Sequence, residues 1–139
     1  YDMYPAEIVK PMREELTAVG FDQCTTPESV ASAINKKGAT TLVVVNSVCG
    51  CAAANARPGV RLSLANDKTP TQLITVFAGV DKEATAEARN LMVPFPPSSP
   101  SIALFNDGEL VHMLERHHIE GRSANIIAEN LKEAYNTHC

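Results

Sequence analysis

Residues 40–54 read Thr-Thr-Leu-Val-Val-Val-Asn-Ser-Val-Cys-Gly-Cys-Ala-Ala-Ala, and this stretch decides the fold. Its first seven residues are β-branched and nearly all apolar, without the polar alternation of a half-solvated strand. They predict a central strand buried on both faces. A turn carrying Cys49, Gly50 and Cys51 follows, and residues 52–66 are alanine-rich and helical in character. Pro58-Gly59 falls inside that helix and predicts a bend. A buried strand running straight into a helix is the unit from which an α/β layer fold is built.

Toward the C-terminus, residues 72–78 read as a second strand, and Asp81 is placed to cap a helix reaching about Met92. A proline-rich loop, residues 94–100, leads to a strand over 101–105. Asp107-Gly108 is a strong two-residue hairpin signal, with a strand over 109–115 pairing back. Ser123 caps a last helix that carries Ile127, Leu131, Ala134 and Tyr135 on one side. Toward the N-terminus, residues 1–38 read as helical. Ile8, Val9, Met12, Leu16 and Val19 form one stripe, which Pro11 is expected to kink or split, and Gly20 is the stop. A second helix starts at Thr26-Pro27-Glu28 and ends at Lys36-Lys37-Gly38.

After residue 39 the order is β-α-β-α-β-β-α. That order predicts a three-layer α/β/α sandwich with a mixed central sheet. We expect a single domain, residues 1–139, with a helical N-terminal extension (1–38) on a core (39–139) and no linker between them.

Composition bounds the partners. Leu, Ile, Val and Phe make up 33 of 139 residues, enough for a core. Acidic residues outnumber basic ones 16 to 12, and a net charge of −4 argues against nucleic acid or anionic lipid as the main partner. The longest aliphatic run, residues 42–45, is far too short for a membrane span. No charged segment followed by an apolar stretch opens the sequence, so a cytoplasmic location with reduced or cycling thiols is expected.

The four cysteines are Cys24, Cys49, Cys51 and Cys139. A bond between Cys49 and Cys51 closes almost no loop and adds little stability, so the pair points to chemistry rather than to a staple. Its place at a strand–helix junction sets Cys49 beside unpaired backbone N–H groups and the positive end of the helix dipole, which favour a thiolate. Cys51, deeper in the first turn, is expected to be more covered and to resolve what Cys49 attacks. Residues i and i+2 of a regular helix point apart, so closing the pair needs an irregular turn, with Gly50 supplying the freedom. An oxidised form is expected to be strained and easily reduced. Two other readings remain open: buried cysteines that merely pack, and a soft-metal module in which the C-x-C pair is joined by His117 and His118.

Pro100 precedes a strand, and a cis Ser99–Pro100 bond there would leave the Ser99 backbone free to pair with an extended substrate. Pro94, Pro96 and Pro97 read as ordinary trans loop prolines. Cys24 reads as a packing residue between helices, and Cys139, the last residue, as mobile. Arg116 or His117 is a candidate cation near the redox pair, and Asn46 a hydrogen-bonding partner of the turn.

The element order and the run Pro100-Ser101-Ile102-Ala103-Leu104-Phe105-Asn106-Asp107-Gly108-Glu109 resemble the thioredoxin fold. Closer still, the chain resembles the bacilliredoxin family. The resemblance is carried by Asn46-Ser47-Val48-Cys49-Gly50-Cys51-Ala52-Ala53, Ala56-Arg57-Pro58, Asn66-Asp67-Lys68-Thr69-Pro70, Val76-Phe77-Ala78-Gly79, Asp81-Lys82-Glu83-Ala84-Thr85-Ala86, Pro97-Ser98-Ser99-Pro100-Ser101 and the segment from Arg116 to Gly121. It implies an enzyme that takes the low-molecular-weight thiol bacillithiol off proteins holding it as a mixed disulfide. Cys49 would attack and Cys51 resolve, with Gly50, Ser99 and Pro100 against the substrate and neither cofactor nor metal. Disulfide isomerase activity is the alternative it implies. The buried acid that assists thioredoxins would stand at Val43, so efficient general reductase activity is not expected.

Overall fold

The computed structural model describes residues 4–139. In chain order the elements are α1 (Ala6–Thr17), β1 (Asp22–Gln23), α2 (Pro27–Ile34), β2 (Thr40–Asn46), α3 (Arg57–Ser63, entered through a π-helical turn, Ala52–Ala56), β3 (Gln72–Phe77), α4 (Lys82–Asn90), β4 (Ser101–Asn106), β5 (Glu109–Leu114), α5 (Arg116–Ile119) and α6 (Ala124–His138). The sheet order is β1-β3-β2-β4-β5. The first three strands run parallel, while β4 is antiparallel to β2 and β5 to β4.

All seven residues of β2 are buried, as its unbroken apolar run requires. Alternate residues feed opposite layers. Leu42 and Val44 pack with Val60, Ile127, Leu131 and Tyr135 under α3 and α6. Val43 and Val45 pack with Val30, Ile34, Ala84 and Ala88 under α2 and α4. This is the expected three-layer arrangement with a mixed sheet.

Local signals are realised where their chemistry is local. Asp107 and Gly108 both adopt positive φ, 53° and 83°, as a tight hairpin turn demands. Thr26 and Ser123 cap α2 and α6 by accepting from Ser29 N–H and Ile126 N–H. No helix among the described residues is long and apolar enough to cross a membrane.

Several expectations are corrected. α1 continues through Pro11 as one helix, because the carbonyl that loses its donor belongs to exposed Glu7 in the first turn, where water replaces the bond. Ile8 of the expected stripe is exposed, while Val9 and Leu16 are buried. β1 and α5 went unread because two and four residues are too short for any periodicity. α2 ends at Ile34, short of the two lysines. Pro58 stands in the first turn of α3 rather than in a helix interior, and the π-helical turn before it has a wider ladder that spares Pro58 a clash with the carbonyl four residues back. Asp81 sits at the head of α4 but does not cap it. Its carboxylate accepts from Arg13 (2.9 and 3.0 Å), Gln23 Nε2 (3.0 Å) and Phe77 N–H (3.0 Å), tying α1 and β1 to the end of β3. Ser99–Pro100 is cis, and so is Val93–Pro94, where trans was expected; the small cis–trans preference of an X–Pro bond is not written in its neighbours. Cys139 is not loose: its N–H donates to Tyr135 O and its side chain packs on the α6 core.

Candidate active site

The site begins where β2 ends. Asn46 Oδ1 accepts from Ser47 N–H (2.9 Å) and from Arg57 (2.9 Å), and Asn46 Nδ2 donates to Met12 O (3.2 Å). The same Arg57 nitrogen donates to Ser47 O (2.9 Å). Arg57 is 1% exposed, and its Nε lies 3.2 Å from Glu15 Oε1, an ion pair without hydrogen-bond alignment. A buried guanidinium thus holds the turn that presents the cysteines.

Ser47 Oγ donates to Cys49 Sγ (3.3 Å) and accepts from Cys49 N–H (3.3 Å). Cys49 precedes the helix and its carbonyl accepts from Ala52 and Ala53 N–H. Cys51 lies in the first turn, at helical φ and ψ. Because Cys49 stands outside the regular helix, the i, i+2 separation does not turn the side chains apart. The two sulfurs lie 2.7 Å apart, both as free thiols. Gly50 is exposed, has no positive φ, and an added Cβ there would meet nothing within 4 Å, so the arrangement does not rest on glycine's conformational freedom.

Both thiols are partly exposed, so burial does not separate them as expected. Their acidities do. Burial alone would raise the Cys49 thiol, but hydrogen bonds from Cys51, Ser47 and the N–H groups of Ala52 and Cys51 outweigh it and bring it below its ordinary value. Cys51 is pushed up by burial and then by the bond to, and charge of, Cys49, with Arg116 pulling the other way. Burial also raises Cys24 and Cys139.

Of the two candidate cations, Arg116 rather than His117 lines the site. It donates to Ser99 O (3.2 Å) and shares with Cys49, Ser47 and Ser99 a cleft of about 290 Å³. The Ser99 carbonyl is therefore already engaged, not wholly free as expected. Pro100, next to it, is buried. His117 is exposed and faces Glu115 (3.9 Å), and His118 Nδ1 accepts from Glu115 N–H (3.0 Å). The ligand atoms of these three lie within 4.8 Å of one another, and neither cysteine belongs to that group, whereas the alternative soft-metal reading has His117 and His118 join the C-x-C pair. Val43 is enclosed in the α2–α4 core, so β2 brings no acid to Cys51.

Arg57 and Arg89, which also lines the cleft, went unread as site residues. For Arg57 a signal existed: an arginine on an alanine-rich helix that must be buried against the strand it follows. For Arg89 there was none, since α4 reads as a solvated helix.

Residues 4–139 match the family model described as "Disulphide isomerase". A bacilliredoxin of Cytophaga hutchinsonii is 60% identical over 133 residues, covering 96% of this chain and 98% of its own. One of Halalkalibacterium halodurans is 52% identical over 139 residues, covering 100% and 96%. Among solved structures, Fasciola hepatica thioredoxin superposes with a TM-score of 0.59 at 19% identity, covering 86% of this chain and 100% of its own. Oxidised mitochondrial thioredoxin 3 of Saccharomyces cerevisiae gives 0.58 at 15%, covering 88% and 98%. At these identities the structural likeness speaks for the fold alone, which is thioredoxin-like.

Proposed function

The chain belongs to the bacilliredoxin family and is a thiol–disulfide oxidoreductase, and from that premise we propose that it removes bacillithiol, or a similar small thiol, from proteins that hold it as a mixed disulfide. The observation that carries this reading is geometric: Cys49 lines the cleft with Ser47 Oγ donating to its sulfur (3.3 Å), while Cys51, which does not line it, holds its own sulfur 2.7 Å from that of Cys49; the directions of the two acidities agree with this order.

The Cys49 thiolate attacks the small-thiol sulfur of the mixed disulfide. The S–S bond of the mixed disulfide breaks, the protein's own sulfur leaves as a thiolate that takes up a proton, and the small thiol remains on Cys49 in a new disulfide. With its sulfur in a disulfide, Cys49 no longer carries the charge that helped to raise Cys51. Arg116 then favours the Cys51 thiolate. Cys51 attacks Cys49 Sγ, expelling the small thiol and closing the Cys49–Cys51 disulfide. Alternatively, a second small thiol attacks the adduct and leaves as the symmetrical disulfide. Gly50 and Ser99, the latter backed by buried Pro100, form the surface against which the substrate lies, in a reducing cytoplasm where such exchange runs.

The test is mass spectrometry after mixing Cys51→Ala with a bacillithiolated test protein, with Cys49→Ala as control. Transfer of the small thiol to Cys49, with release of the test protein, supports the reading. No adduct, together with reshuffling of a scrambled disulfide substrate by the unaltered protein, replaces it with disulfide isomerisation, the activity in the family model's description. If neither reaction occurs, redox exchange is abandoned and metal content is measured before and after Cys49→Ala.

A further inference from the structure

The residues of the Cys49 cleft have their carbonyls taken in two different ways. Ser47 O accepts from buried Arg57 (2.9 Å), and Cys49 O accepts from the N–H groups of Ala52 and Ala53. Those donors are built into the turn itself. Ser99 O accepts instead from Arg116 Nη1 (3.2 Å), a side chain 46% exposed that reaches over from the start of α5. Arg116 is set in place by its backbone N–H, which donates to Ser98 Oγ (3.3 Å), and by Nε, which donates to Glu120 Oε2 (2.9 Å). Ser99 lies just ahead of Ser101, where β4 begins to pair with β2. Its carbonyl is an acceptor that a chain lying extended in the cleft would use, and a guanidinium already holds it.

A disulfide within a polypeptide reaches Cys49 with amide N–H groups on both sides of its cysteine, whereas a small thiol brings no such run. The bond from a guanidinium to a carbonyl is charge-assisted and stronger than one from a neutral amide, so an amide cannot displace it without loss. An amide pressed against an occupied carbonyl gives up water and gains no acceptor. The polypeptide half of a mixed disulfide is disfavoured in the cleft and the small half is not. This is discrimination by an obstacle rather than by an attraction.

We propose that Arg116 decides which sulfur of a mixed disulfide Cys49 attacks: by holding the Ser99 carbonyl it keeps the polypeptide half from lying extended in the cleft, so that the small-thiol sulfur meets Cys49. Attack there forms the disulfide between Cys49 and the small thiol, breaks the mixed disulfide, and releases the protein's sulfur as a thiolate that takes up a proton from water. Attack at the other sulfur joins Cys49 to the protein and releases the small thiol as the thiolate instead. The inference rests on the reading that Cys49 exchanges with small-thiol mixed disulfides. To that reading it adds the residue that fixes the direction of the exchange.

The test uses the full chain carrying Cys51→Ala, so that no resolving thiol clears the adducts. It is mixed with an extended peptide that holds mercaptoethanol on its one cysteine. Peptide mass spectrometry at early times gives the ratio of the two adducts at Cys49, mercaptoethanol against peptide. One thiolate makes both, so the ratio cancels its acidity. With Arg116 in place the mercaptoethanol adduct dominates. Arg116→Met keeps the stem and loses the donors, and the ratio falls about three- to tenfold, the contribution of one backbone hydrogen bond. The same peptide N-methylated at the amides flanking its cysteine has no donor to offer, and its ratio is equal with and without Arg116. An unchanged ratio for the unmethylated peptide in Arg116→Met overturns the proposal. So does a fall that survives N-methylation, since Arg116 would then act by charge or bulk and not through the Ser99 carbonyl. Absence of both adducts overturns the reading of Cys49 as the attacking thiol, and the proposal with it. The probe carries a small thiol other than bacillithiol, so the partition is read whichever small thiol the protein serves.

Discussion

Replacing Arg57 by methionine removes the charged head that holds the cysteine turn and keeps most of the volume. Asn46 Oδ1 still accepts from Ser47 N–H, so its loss is partial. The buried Ser47 carbonyl loses the donor it has from Arg57, and an unsatisfied buried carbonyl costs about 1–3 kcal/mol. The Glu15 pair, with that acid 37% exposed, contributes about 0.5 kcal/mol. Against these, methionine no longer has a guanidinium to desolvate, which offsets part of the loss. The net is a destabilisation of about 2 kcal/mol, which lowers a urea midpoint by about 1 M if the slope is about 2 kcal/mol/M. Far-UV circular dichroism suits the measurement, since the chain has no tryptophan. Iodoacetamide labelling of Cys49 at neutral pH should slow in parallel, because the N–H and hydroxyl donors to its sulfur are no longer held in place. A midpoint within about 0.2 M of the unaltered protein, with an unchanged labelling rate, would refute the assignment of Arg57 as the anchor of the turn.

Three further outcomes follow from single sites. At neutral pH, brief iodoacetamide labelling read by peptide mass spectrometry should mark Cys49 before Cys24, Cys51 and Cys139, all of which are raised, first by burial; Cys51 or Cys139 reacting first contradicts the acidity order. Gly59→Ala gains about 1 kcal/mol of helix propensity but drives a Cβ to 2.7 Å from Ile127 Cγ2 and 3.2 Å from Ala124 O, so overpacking of about 1–3 kcal/mol should win. The melting temperature should fall, and a rise would show that α3 and α6 separate easily. Tyr135 is pushed up to about 12 by burial, with the bond to Ser63 pulling down. A folded value above the unfolded one means its contribution is complete below about pH 10 and is lost as pH rises through about 12, up to about 3 kcal/mol in all. Urea midpoints taken across that range should fall less in Tyr135→Phe, and parallel curves would dismiss Tyr135 as the cause.

What could be read from the sequence is what neighbours along the chain decide. β2, the Asp107-Gly108 turn and the Ser123 cap each carry their reason within a few residues, and each is present. Asp81 stands at the N-cap position of α4 as its sequence suggests, but its carboxylate is drawn off the helix by Phe77 N–H and by Gln23 and Arg13, which lie 58 and 68 positions away and are not legible from its neighbours. Arg89 stayed hidden for the same reason, since only the fold brings α4 to the cysteine cleft. The Cys49-Gly50-Cys51 motif falls between these cases. Its place at a strand–helix junction is legible in the sequence; the freedom expected of Gly50 concerns closure of the disulfide, and in the thiol form the spacing alone brings the two sulfurs together. With Cys49 just outside the helix and Cys51 just inside, the outer sulfur collects the N–H groups of Cys51 and Ala52, while the inner one faces the charge of its neighbour. A one-residue gap astride a helix start therefore makes two identical side chains unequal before any acid or special glycine is called on, and that inequality is what a nucleophile and a resolver require.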